Sequence, residues 1–112
     1  MLGLTGVSQI YLYRGVTDMR KSFEGLSGLV EAHFPDRLLT GALFIFCNRR
    51  RDRIKVLYWD GDGFALWYKR LEKGRFRLPG DGETARLERR QLLALIEGVT
   101  PLKYERRFRL KR

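Results

Sequence analysis

Three apolar runs follow one another with almost nothing between them: ALFIFC (42–47), RIKVLYW (53–59) and FALWYKRL (64–71). The segments that join them, Asn48 to Arg53 and Asp60-Gly61-Asp62-Gly63, have turn chemistry, and Lys73-Gly74 then introduces a shorter fourth run, RFRLP (75–79). Connections this short leave no room for crossover helices, so the pattern predicts an antiparallel meander.

The flanking segments supply the remaining elements. QIYLYRG (9–15) reads as a strand, and TDMRKSFEGLSGLVEAHF (17–34) as a helix capped by Thr17, with Asp18 in its first turn and Met19, Phe23, Leu26 and Val30 as the core-facing stripe. A second helix is predicted over roughly residues 88–97, with Leu92, Leu93 and Ile96 on one face and Gly98 as its stop. At 112 residues the chain has room for one core. The expectation is a small single α+β domain over residues 1–102, an antiparallel β-meander of about four to five strands with two helices packed on it. The last ten residues, KYERRFRLKR (103–112), form a basic C-terminal arm.

Hairpin turns fix register. A tight turn centred on Gly61-Asp62 pairs Trp59 with Phe64, Leu57 with Leu66, Val56 with Trp67 and Arg53 with Arg70. A two-residue turn at Lys73-Gly74 pairs Leu71 with Phe76 and Arg70 with Arg77, which sets Arg53, Arg70 and Arg77 in one row. Ile54, Val56, Tyr58, Trp67, Leu71, Phe76 and Leu78 then share one face, which the first helix would cover. Lys55, Leu57, Trp59, Phe64, Leu66 and Tyr68 share the other with the arginines.

Net charge is +10, and residues 1–48, with four Lys/Arg and four acids, contribute nothing to it. So lopsided a positive charge points to a polyanionic partner, nucleic acid first and an acidic protein surface second. Antiparallel geometry puts the Asn48–Arg53 and Glu72–Gly74 turns at the same end of the sheet. Arg49, Arg50, Arg51, Arg53, Lys55, Arg70, Lys73, Arg75 and Arg77 become the candidate DNA-binding set, suited to phosphate by their planar, bidentate guanidinium forks. Trp59, Phe64 and Tyr68 are candidates either for stacking on exposed bases or for a protein partner, a face that aromatic residues seldom leave bare in a monomer.

Signals for catalysis are missing. His33 has no second histidine or cysteine at ligand spacing, and Cys47 lies in an apolar strand where it reads as core. DGDG (60–63) has the look of a calcium loop but lacks its bidentate Glu, and the carboxylates are too scattered for a two-metal site. No catalytic residue, metal ligand or cofactor site is predicted. Neither a membrane-spanning stretch nor a signal peptide is expected, which makes the cytoplasm the expected location.

GVTDMRKSFEGLSGLV (15–30) and GALFIFCNRRRDRIKVLYWDGDGFALWYKRLEKGRF (41–76) resemble the small TnpB-type accessory protein, product of the second open reading frame, of IS-66 family bacterial insertion sequences. TDMRKSF, RRRDRIK, WDGDG and KRLEKGRF stand in the family's order and spacing. Residue by residue, the resemblance marks Thr17, Asp18, Met19, Arg20, Lys21 and Phe23, then Arg50, Asp52, Arg53, Lys55, Trp59 to Gly63, Lys69, Arg70, Gly74, Arg75 and Phe76. The chain departs from the pattern at Leu78, where a tryptophan before the proline is common, and at Glu88, where Ser or Thr often caps the last helix. The resemblance implies a protein that assists transposition beside a separate, larger transposase. Two roles fit: non-catalytic DNA binding through phosphate contacts, or an adaptor that binds the transposase through its aromatic sheet face.

Overall fold

The computed structural model describes residues 9–97. Seven elements follow one another: β1 (Ile10–Val16), α1 (Phe23–His33), β2 (Leu43–Cys47), β3 (Arg53–Trp59), β4 (Phe64–Arg70), β5 (Thr84–Arg86) and α2 (Arg89–Glu97). They form one five-stranded sheet of order β4-β3-β2-β1-β5 with a helix on each face, a small α+β domain whose sheet is mostly antiparallel.

The meander is real over β2, β3 and β4. Trp59↔Phe64, Leu57↔Leu66, Val56↔Trp67 and Arg53↔Arg70 pair as the Gly61-Asp62 turn requires. Gly61 sits at φ +88, a left-handed value that costs glycine nothing, and the turn closes through Asp60 N–H to the Gly63 carbonyl at 2.8 Å. The first strand is different: β1 runs parallel to β2, from Ile10↔Leu43 to Tyr13↔Phe46, and α1 is the crossover between them. Its other neighbour is the three-residue β5, an antiparallel strand too short to announce itself in sequence.

Strand alternation sorts the core into two layers. Leu12, Ile45, Val56 and Trp67 lie in one row with Ile10, Leu43, Cys47 and Ile54 beside them, and Leu92, Leu95 and Ile96 of α2 cover that face. Tyr11, Phe44, Leu57 and Leu66 make a row on the opposite face under Leu26 and Val30 of α1. β2, flanked and covered on both sides, is buried at all five positions, hence its unbroken apolar run.

This layering corrects the expected helix placement. It is α2, not α1, that packs over Ile54 and Val56, and α1 lies on the Leu57/Leu66 face. α1 also starts later than its sequence suggests. Asp18 folds the chain into a turn, its Oδ1 accepting the Arg20 N–H at 2.9 Å while its carbonyl accepts the Lys21 N–H at 3.0 Å. A short acceptor side chain competes with helix in this way, so Ser22 rather than Thr17 stands at the N-cap position. Met19 is therefore off the helix, and Phe23, at 43 % exposure, is not core.

RFRLP (75–79) is not a strand. Instead of pairing with β4, Phe76 donates its N–H to the Arg51 carbonyl at 2.6 Å and buries its ring among the α2-side core residues. Residues 71–83 thus carry the chain from the β4 edge to the β5 edge, ending where Arg14 N–H meets the Glu83 carbonyl at 2.7 Å. Arg77 is exposed on this crossing segment and is not in register with Arg53 and Arg70. Residues 103–112, the expected basic arm, lie outside the described residues.

Candidate nucleic-acid interface

The Asn48–Arg53 turn is organised by one side chain. Asn48 Oδ1 accepts the N–H groups of Asp52 (3.1 Å) and Arg53 (3.0 Å), and its Nδ2 donates to Asp52 Oδ1 at 2.7 Å. An Asn that opens a turn mimics backbone in this way. The same Asn48 hydrogen bond, helped by the charges of Arg50 and Arg53, holds the Asp52 carboxyl below the usual carboxylate range. Arg51 sits at φ +62, in the left-handed region a side chain enters at a cost of about 1 kcal/mol.

Two backbone bonds lock the second basic loop onto this turn. Leu71 N–H donates to the Asp52 carbonyl at 2.8 Å, and Phe76 N–H to that of Arg51 at 2.6 Å. Arg49, Arg50, Arg70, Lys73 and Arg75 are exposed around this junction, and Arg51 and Arg53 are half-buried. Little negative charge balances them. Among the described residues the only ion pair in this group joins Arg70 to Glu72 at 3.5 Å, and both side chains are largely exposed, which leaves it weak.

Lys55 departs from the expected role. It is only 6 % exposed, and its ammonium donates to the carbonyls of Met19 (2.8 Å) and Lys21 (2.7 Å) with the Tyr68 ring 4.8 Å away. A buried ammonium persists only with such acceptors. Lys55 is therefore removed from the DNA-binding set: its charge is spent on tying the Thr17–Lys21 loop to the sheet. The loop and the arginine turn then face each other across a groove of about 250 Å³ lined by Val16, Thr17, Asp18, Met19, Asn48, Arg49, Arg50 and Arg53. This groove lies at the carboxyl ends of the parallel pair β1 and β2, where open α/β sheets receive ligands. Asp18, also on the groove, is paired with Arg20 at 2.6 Å, and this hydrogen bonding lowers its pKa to about 2 and keeps it ionised.

The aromatic trio is divided. Trp59 and Phe64 pair directly at the far end of the hairpin, half-buried and edge to face at 5.1 Å. Tyr68 lies four residues along β4, roughly 13 Å away by strand rise, beside the arginines. His33 stacks on Tyr13 at 4.3 Å and approaches Glu83 Oε1 at 3.1 Å, and burial pushes the Cys47 thiol up to about 11. Among the described residues no three His, Cys, Asp or Glu side chains gather as a metal cage, and no helix is long and apolar enough to cross a membrane.

Sequence reasoning found the two arginine loops but missed what sets them. Asn48 was legible as a turn-opening residue. The carbonyls of Met19 and Lys21, brought to Lys55 by a parallel strand pairing, left no local signal.

A mixed sheet with a cationic, carboxylate-poor loop end defines a small basic α+β domain. The chain belongs to the IS66 Orf2-like protein family, whose match spans residues 8–106, and so is an insertion-sequence accessory protein. It is similar to the uncharacterized proteins y4hO (35 % identical over 92 residues, 81 % of this chain and 80 % of that one) and y4jC (34 % over 79 residues, 70 % and 68 %), both from Sinorhizobium fredii. No solved structure matches it.

Proposed function

We propose that this accessory protein works without catalysis by holding DNA of the insertion sequence through backbone phosphates, using Arg49, Arg50, Arg51, Arg53, Arg70, Lys73, Arg75 and Arg77. The observation that carries this reading is the pair of bonds from Leu71 and Phe76 N–H to the Asp52 and Arg51 carbonyls, which make two arginine loops one surface. Like charges brought together this way cost stability, so the gathering calls for an anion to offset it. α2 also runs toward this end, its Ile96 carbonyl accepting from Lys69 Nζ at 2.7 Å.

Titration of the full chain against duplex DNA tests this. Binding is expected to be steep in salt, and replacing Arg53 and Arg70 together by Ala is expected to weaken it about tenfold and lower the salt slope by about 2. Absence of binding at low salt, or indifference to both substitutions, would refute the proposal.

A further inference from the structure

We infer that the cationic end takes single-stranded DNA in particular, with Tyr68 as the platform on which one unpaired base stacks; this deepens the reading above and rests on it. Tyr68 belongs to the cross-sheet row Tyr13–Phe46–Lys55–Tyr68 on the α1 face. Phe46 in that row is fully buried, yet Tyr68, on the edge strand β4, is 48 % exposed. Exposure alone is common for tyrosine. What distinguishes this ring is that it is held: the Lys55 ammonium, pinned by two carbonyls, lies 4.8 Å from its centroid, and its hydroxyl accepts from Arg53 Nη1 at 3.5 Å.

The next pair along the same face is Arg53↔Arg70, about 7 Å further by strand rise. An oriented, half-exposed aromatic ring flanked by guanidinium groups is the combination that sheet-based single-strand binders use, the ring for a base and the cations for the backbone on either side. A duplex offers its phosphates to the arginines, but both faces of each base are already stacked within the helix. Only an unpaired base has a face to give Tyr68.

Fluorescence anisotropy on the full chain tests this with a labelled single strand of roughly 20 nucleotides, longer than the site of one sheet-based module, with the corresponding duplex and with RNA of the same sequence. The single strand is expected to bind more tightly than the duplex. Tyr68→Ala should weaken single-strand binding about tenfold and duplex binding less than twofold, while Tyr68→Phe and Tyr68→Trp, which keep the ring, retain it. Equal affinity for strand and duplex, an equal loss on both with Tyr68→Ala, or failure of Tyr68→Trp to retain binding overturns the inference while phosphate binding stands. Tighter binding to RNA overturns the choice of DNA, and absence of binding to any of the three overturns both readings.

Discussion

The two turns that bound β3 do the same backbone job with opposite charge and unequal support. The Asp60–Gly63 turn reverses the chain with one backbone bond and Gly61 in a conformation glycine adopts freely, and among the described residues no side chain hydrogen-bonds into it. The Asn48–Arg53 turn is held by three Asn48 side-chain bonds and by two N–H groups from the 71–76 loop, and it keeps an arginine where glycine fits better. A chain reversal needs no more than the first turn has. The surplus in the second holds the backbone that carries its arginines in one shape.

The largest stability effect that separates the turns is expected from their polar side chains. Asn48→Ala leaves two N–H groups and the Asp52 carboxylate without their partner and should destabilise the fold by about 2 kcal/mol, whereas Asp62→Ala should stay within about 0.5 kcal/mol. Chemical denaturation of both variants measures this, and equal losses would erase the distinction drawn above. A smaller effect, opposite in sign at the two turns, follows from φ. Arg51→Gly should raise stability by about 0.5 kcal/mol while weakening DNA binding, and Gly61→Ala should lower stability by about 1 kcal/mol. An Arg51→Gly variant that gains stability and keeps full affinity would show that the strain serves nothing.

The smallest effect is on pH dependence. Because the folded Asp52 carboxyl titrates below its ordinary value, its stabilising contribution is complete above about pH 4 and disappears as pH falls through the lower native value. Asn48→Ala removes the first cause of that shift. Acid titrations of wild type and variant should therefore run a constant distance apart above about pH 4 and approach each other in stronger acid.

What was legible in the sequence followed from local chemistry. The β3–β4 register could be written down residue by residue because a Gly-containing turn pins two adjacent strands, and the convergence of the arginine loops followed from antiparallel geometry. The parallel partner of β1 could not be found this way, since the pairing is made across a helical crossover, and the first helix was assigned to the wrong face as a result. Lys55 looked like a binding residue because nothing near it in sequence says that two carbonyls 34 and 36 positions earlier come to meet it. RFRLP has strand composition, but Phe76 serves the core on the far side of the sheet. At the site, TDMRKSF read as a helix start, whereas its Thr17–Lys21 part is the loop that walls the groove.

The place of β1 between β2 and β5 has a consequence for synthesis. β5 begins at Thr84, so β2, β3 and β4 must all leave the ribosome before β1 acquires both of its neighbours. Contacts of such sequence separation form slowly compared with hairpins between adjacent segments. A nascent chain accordingly displays its arginine turn well before Phe76 emerges to latch it, and β1 gains its second neighbour only once β5 has followed.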